Sequence, residues 1–257
     1  MMLSQIVDAL SCLNVKALSL ALRDRKRARR YLSYCSKTYD EASGKGLRSR
    51  SPVTPAPDST VVIPAYHSGG GMSFSELVFL ARTVKTRAPK AMFEIGTYNG
   101  LTTAVLMLNS DPNSSVITLD LPPKAEVPSD DLSSDKNLIS SRDLASVPRA
   151  LRLNRYTQLL CDSMIFDPSP YADSIDLGLV DAAHDRVHVE NDTVKMATML
   201  KEEGIVFWHD YGGKGLMRPL ALYLEGLARK YPIYRIGDTS LAWAPAQSLK
   251  CALARTN

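Results

Sequence analysis

Cysteine is scarce and unpaired: Cys12, Cys35, Cys161 and Cys251 lie far apart, with no C-x-x-C among them. This excludes a zinc ribbon or a disulfide framework and fits a reducing, cytoplasmic setting. A long hydrophobic run is also missing. Asp8, Asn14 and Lys16 interrupt the apolar opening stretch, whereas a membrane-spanning helix needs about 20 consecutive apolar residues. A secretory signal would carry its basic residues ahead of the apolar part, and here they follow it. Charge of one sign is in small excess, +4 over 257 residues, and much of it sits in the run Arg23 to Arg30. No aromatic residues interleave that run, which argues against a nucleic-acid partner. No internal repeat is visible, and the G-x-G-x-x-G fingerprint of dinucleotide-binding folds is absent.

Hydrophobic residues make up 45% of the chain and charged residues 23%, the composition of an ordinary globular domain. Residues 1–42 read as a helical N-terminal arm, amphipathic and suited to packing on the protein or on a partner subunit of a homo-oligomer ahead of lying on a membrane surface. Residues 43–60 are rich in Gly, Ser, Pro and basic side chains and read as a linker. Residues 61–257 then form the main domain. Tyr66 and Gly69 to Gly71 stand before its first helix, where an entry loop or a lid would fit, with His67 between them.

From there helix and strand patterns alternate, as in a sheet with crossover helices. Ser73 to Lys85 opens with a capping box, Ser73 with Glu76 three residues on. Strands are expected at Ala91 to Gly96, Val116 to Asp120, Tyr156 to Cys161, Ile175 to Asp181 and Ile205 to His209. Helices are expected at Leu101 to Asn109, from Arg186 to Glu203 with Gly204 as the stop, and from beyond Gly215 to Lys230. The chain then reads as ending in two strands, Ile233 to Ile236 and Ser240 to Ala244. Two strands this close pair only as a hairpin, because a parallel return needs a longer crossover. The expectation is an α/β, Rossmann-like sheet of seven strands with an antiparallel last strand and helices on both faces.

The first strand runs into Glu94-Ile95-Gly96-Thr97-Tyr98-Asn99-Gly100 and then straight into a helix. Gly96 permits a sharp turn close to a ligand, and Gly100 permits close packing at the helix start. An acidic side chain opening this loop would repel a pyrophosphate and suit a phosphate-free cation, such as the ammonium and sulfonium of S-adenosylmethionine. Asp120, ending the second strand, is placed for ribose hydroxyls, and Asp162 with Ser163, after the third, for an adenine amino group. His184 and His209 stand beside Asp181 and Asp210 after the fourth and fifth strands. Histidine titrates near neutrality and suits proton removal from an acceptor hydroxyl. The expected base is His209, with His184 second and Asp181 or Asp210 as orienter. Trp208 and Tyr211 flank this turn as core or as walls of an acceptor pocket, and His188 reads as a helix-surface residue.

The segments FEIGTYNGLTT, VITLDLPP, CDSMIFDPSPY, DLGLVDAAHDRVHVENDT and GIVFWHDYGG together resemble the class I S-adenosylmethionine-dependent methyltransferases, in particular a bacterial branch with EIGT-x-x-G, D-G-x-H and HDY turns. The resemblance spans roughly residues 70–244. It implies cofactor contacts at Glu94, Gly96, Thr97, Tyr98, Asn99, Gly100, Asp120, Leu121, Asp162 and Ser163, and a reactive end at Asp181, His184, His209 and Asp210. It further implies O-methylation of a small hydroxylated acceptor, such as a sugar or secondary metabolite. A similarity to catechol-type O-methyltransferases implies a divalent metal, Mg, at Asp181 and Asp210. Two positions depart from these patterns: Ala182 stands where the branch has Gly, and Tyr211 where the catechol-type enzymes have a metal-binding Asn. The first departure feeds the alternative of a catalytically inactive cofactor-binding module. A nicotinamide-linked oxidoreductase is the third reading, disfavoured by Glu94 and by Tyr98 at the central glycine position.

Overall fold

The computed structural model describes residues 46–53, 60–65, 71–123, 125, 142–212 and 218–253. The expected helical arm with its basic run, parts of the linker, Tyr66, His67, Gly69 and Gly70 lie outside the described residues.

Eight strands form one sheet. They are β1 (Arg48–Ser49), β2 (Ala91–Ile95), β3 (Ser115–Asp120), β4 (Tyr156–Leu160), β5 (Ile175–Val180), β6 (Leu200–Trp208), β7 (Tyr234–Arg235) and β8 (Ala242–Pro245), in spatial order β1-β7-β8-β6-β5-β2-β3-β4. The run β6-β5-β2-β3-β4 is parallel throughout, while β8 is antiparallel to both β6 and β7. The terminal strands pair as the short connection requires, Tyr234 opposite Trp243. The count differs from the expected seven because Arg48–Ser49, inside the stretch read as a linker, adds a parallel edge strand to β7.

Helices α1 (Phe74–Arg87), α2 (Leu101–Asn109) and α3 (Ser146–Ala150) belong to one face of the sheet; α4 (Arg186–Met199), α5 (Arg218–Ala228) and α6 (Ala246–Leu253) belong to the other. Each face has its own apolar core. Leu77, Leu80, Val84, Val105 and Phe207 meet on the first, and Phe93, Met196, Trp208, Leu224 and Leu249 on the second. Purely apolar central strands such as Leu177 to Val180 fit a sheet covered on both sides. The capping box forms as read: Glu76 Oε2 accepts from the Ser73 amide at 2.8 Å, and the Ser73 hydroxyl accepts from the Glu76 amide at 3.4 Å.

Element bounds and two short helices differ from the sequence reading. The helix expected to reach Glu203 ends at Met199, and β6 begins at Leu200 opposite Ile175. Gly204 sits inside that strand, beside an irregular register, where an added Cβ would lie 3.1 Å from the Ile175 carbonyl oxygen. A glycine within a strand marks such a close backbone approach, and a helix stop looks the same in sequence. The chain also continues beyond the hairpin into α6, and the short α3 precedes β4.

Candidate functional site

The chain runs β2, β3, β4 outward in one direction and resumes at β5 on the other side of β2. The loops after β2 and β5 therefore diverge at the carboxyl edge of the sheet, the place where open α/β sheets bind ligands. Glu94, Asp120, Asp162, Asp181 and His209 all lie at or just past the carboxyl ends of consecutive parallel strands.

The turn after β2 is tightly built. Gly96 has φ of 105°, and a Cβ there would sit 2.0 Å from the Asp181 carbonyl oxygen. Only glycine lets the β2 and β5 loops approach this closely. Gly100, with φ of 77°, faces Pro148 of α3, whose Cδ would be 2.7 Å from an added Cβ. Asn99 is buried and accepts the Leu101 amide at 2.9 Å through Oδ1, shaping the entry to α2.

Asp120 organises this loop. Its Oδ2 accepts from the amides of Thr97 at 3.1 Å and Tyr98 at 2.8 Å, and its Oδ1 accepts from the Leu121 amide at 2.7 Å. Arg142 adds an ion pair to Oδ1 at 3.0 Å and donates to the Leu121 carbonyl at 2.6 Å. Burial raises the carboxyl's pKa, with Arg142 and the three amides opposing the rise. The residue read for ribose thus also fixes the glycine loop, and Arg142, which sequence reasoning missed, balances its charge.

Glu94 lies beneath the same loop, 1% exposed. Its Oε2 accepts from Thr103 at 2.5 Å and Thr118 at 2.7 Å, while Oε1 is buried with no hydrogen-bond partner among the described residues. Burial pushes the carboxyl up to about 8, the charges of Asp181 and Asp120 adding to the rise and the two threonines opposing it.

Asp162 and Ser163 follow β4 and turn toward α4. Asp162 Oδ1 accepts the Met164 amide at 2.8 Å, an Asx turn of its own. Asn191 donates to the Ser163 carbonyl at 3.0 Å, Lys195 donates to the same carbonyl, and the Ser163 hydroxyl bonds the buried Asp192. Helix α4 therefore holds the turn read for adenine.

At the other end of the edge, His209 is the centre of three carboxylates. Nδ1 is 3.0 Å from Asp181 and 3.3 Å from Asp210, and Nε2 is 3.4 Å from Glu76. Burial alone would favour the neutral ring, but Asp181 first, then Asp210 and Glu76, outweigh it and hold the pKa far above its ordinary value. The three carboxylates favour the imidazolium form of the ring. Glu76 and Asp210 are held well below the usual carboxylate range: burial opposes their ionisation, and hydrogen bonds from the histidines and, for Glu76, from Ser240 and Ser73 overcome it. His184 Nε2 meets Asp210 at 2.8 Å. Glu76 reaches this cluster from α1, a role hidden in sequence behind its helix-capping one.

The flanking aromatics take structural places. Trp208 is fully buried and donates to Thr193 at 3.0 Å. Tyr211 is equally internal, its hydroxyl accepting the Leu47 amide at 2.8 Å and donating to Glu225 at 3.1 Å, so it is a tie rather than a pocket wall. His188, at the start of α4, bonds its N-cap Asp185 at 2.6 Å.

Asp181, His184 and Asp210 each offer a ligand atom within 4.8 Å of the others. That donor set fits a divalent cation, with a histidine nitrogen in place of the amide oxygen that Tyr211 cannot supply.

Residues 93–211 match the family described as a methyltransferase domain. No curated protein matches the sequence. Among solved structures, the S-adenosylhomocysteine-bound methyltransferase PaMTH1 of Podospora anserina is 15% identical, with a TM-score of 0.52 over 68% of this chain and 79% of that one. Cofactor-bound Rv0187 from MTB is 16% identical, with a TM-score of 0.52 over 70% and 84%. A Staphylococcus aureus protein proposed to be a caffeoyl-CoA O-methyltransferase is 13% identical, with a TM-score of 0.50 over 70% and 84%. Among the described residues no helix is long and apolar enough to cross a membrane. With a glycine loop opened by an acid, a carboxylate ending the next strand, an antiparallel strand inserted beside β6 and the family match across the site, residues 93–211 carry a methyltransferase domain arranged as in the class I S-adenosylmethionine-dependent enzymes.

Proposed function

We propose that the chain transfers the methyl group of S-adenosylmethionine to a hydroxyl oxygen of a small acceptor, and that the acceptor's proton is taken by His184 backed by Asp210. The observation that carries this reading is the division of labour between the two histidines. His209, enclosed by Asp181, Asp210 and Glu76, is held toward the imidazolium, a form with no lone pair to offer. His184 Nε2 approaches the Asp210 carboxylate at 2.8 Å, an anion that would stabilise the imidazolium formed on proton uptake. His209 in turn fixes the carboxylates on either side. The choice of oxygen follows the catechol-type resemblance and the O-methyltransferase described from Staphylococcus aureus.

The transfer is an in-line displacement, so alignment of acceptor and sulfonium is the main demand on the protein. The close junction of Gly96 with Asp181 brings the cofactor loop and the acceptor end together. Were a divalent cation held by Asp181, His184 and Asp210, as the catechol-type resemblance implies, it would polarise the acceptor hydroxyl in place of the base, with His184 a ligand rather than the proton acceptor.

His184→Ala is expected to lower kcat by about 100-fold or more, the usual worth of a general base, with the S-adenosylmethionine Kd changed less than about twofold, a few tenths of a kcal/mol. Methyl-transfer assays over a panel of hydroxylated acceptors, with and without magnesium, read the first quantity, and calorimetry the second. Unchanged turnover would remove His184 from the reaction. Tight cofactor binding without turnover of any acceptor by the wild-type protein would favour the inactive binding module.

A further inference from the structure

Glu94 is enclosed on every side by groups that can be named. Helix α2 presents Thr103 and carries no charged residue; β4 presents the uncharged Gln158; β3 presents Thr118 and, at its end, Asp120; Asp181 follows β5. The two carboxylates nearest in charge are themselves paired, Asp120 with Arg142 and Asp181 with His209.

A directed chain of donors ends on Glu94. Gln158 Nε2 faces the carbonyl oxygens of Leu159 at 3.1 Å and Thr118 at 3.3 Å, so it must be the amide nitrogen, and it also donates to Thr97 Oγ1 at 3.0 Å. Thr97 then donates to Thr118 at 2.7 Å, and Thr118 to Glu94 Oε2. Thr103 donates to that same oxygen, and Oε1 has no partner among the described residues. The anion is half-solvated by the protein and needs one more positive charge to be stable. The amides of Thr97 and Tyr98, bonded to Asp120, cannot turn to supply it.

We propose that Glu94 discriminates the cationic cofactor from its neutral product by exchanging a proton: it ionises when S-adenosylmethionine binds and is protonated again once the sulfonium charge is gone. This rests on the class I cofactor assignment and deepens it. In the transfer, the S–CH3 bond breaks with its electron pair left on sulfur, the O–CH3 bond forms, and the acceptor's proton leaves to His184. Sulfur becomes neutral, and Glu94 takes a proton from solvent water or buffer. S-adenosylhomocysteine keeps the ammonium and carboxylate of the cofactor, so comparing the two ligands isolates the sulfonium charge. The buried carboxyl's raised pKa, about 8 without ligand, puts the exchange in the neutral range.

Calorimetric titration of the whole chain at pH 7, in two buffers of different ionisation enthalpy, counts the protons released. The S-adenosylmethionine count is expected to exceed the S-adenosylhomocysteine count by about one proton, and the affinity ratio of the two ligands to rise toward about tenfold per pH unit below pH 8 and level off above. In Glu94→Gln both differences should vanish. Should that variant not fold, infrared difference spectra of the wild-type protein serve instead: the carbonyl stretch of a protonated carboxylic acid should disappear with S-adenosylmethionine and persist with the product. Equal proton counts for two ligands that both bind would overturn the proposal and leave the cofactor assignment intact. A difference surviving in Glu94→Gln would also overturn it, whereas failure of either ligand to bind would strike the assignment itself.

Discussion

His209 and Glu94 are opposite solutions to burying a charge. The histidine is surrounded by carboxylates that favour its charged form, while the glutamate lacks a cation and tends to keep its proton. Removing the imidazolium would leave Glu76 and Asp181 as uncompensated buried anions, so His209→Ala should cost about 3–5 kcal/mol of stability, measured by denaturant unfolding. A merely surface-like loss below about 1 kcal/mol would contradict the enclosed geometry. The pH dependence has a definite sign. Glu76 and Asp210 have folded-state pKa values below their ordinary 4.5 and 3.8, so their contribution is present above those values and is lost as pH falls through the folded ones. His209 is raised above its ordinary 6.5, so its contribution is complete below that pH and is lost only when pH rises through a folded value far above neutrality. Thermal unfolding should therefore show this cluster failing on the acid side, below about pH 4, and not between pH 6 and 9. At this scale the sequence named His209, Asp181 and Asp210 as neighbours, because they end adjacent strands. It could not show that Glu76 joins them, since the capping box accounts for that residue without reference to any distant partner.

The element that sets the site is the β2–α2 turn. Its glycines were legible because E-x-G-x-x-x-G between a strand and a helix needs backbone that only glycine provides. What each glycine avoids was not legible. Gly96→Ala is expected to unfold the junction or abolish cofactor binding, because its Cβ would overlap the Asp181 carbonyl. Gly212→Ala is the matching control: φ is 86° but nothing among the described residues lies within 4 Å, so the left-handed strain of about 1 kcal/mol is the expected cost. Equal effects of the two changes, by thermal unfolding and cofactor titration, would refute the steric account. Helix α4 connects both ends of the edge. Its N-cap Asp185 follows His184, and Asn191, Asp192 and Lys195 grip the turn after β4. Its place after the fourth strand and the glycine at 204 marked it as a helix in the sequence, while its end at Met199 was decided by pairing of Leu200 with Ile175, a contact between segments far apart in the chain.

Across the whole molecule, the segment before the methyltransferase domain is tied to the site through one side chain. Tyr211 joins the Leu47 amide to Glu225 of α5, and its own amide donates to Ser240 at 2.8 Å, whose backbone and hydroxyl bond Glu76. Tyr211→Phe keeps the ring in the core but leaves the Leu47 amide without its acceptor. A loss of about 1–3 kcal/mol is expected, with faster amide exchange at Leu47 and along β1 than elsewhere in the sheet. Exchange unchanged at these positions would mean that the edge strand is held by its ladder with β7 and by the bonds of Trp243 to the Arg50 carbonyl and of Gly237 to Ser49 instead. The stretch containing β1 reads as a linker because its composition cannot close a core. Two residues of backbone pairing need no such composition.

Sequence by itself determined the alternation of strands and helices, the hairpin near the end of the sheet, the glycine loop and the acids at the strand ends, because each depends on local period, backbone freedom or chain length. Tertiary structure alone decided which carboxylate meets which cation. Arg142 on Asp120, Glu76 on His209 and the solitary state of Glu94 arise between segments distant in the chain, and the balance of burial against pairing that sets their charges exists only once those segments are packed together.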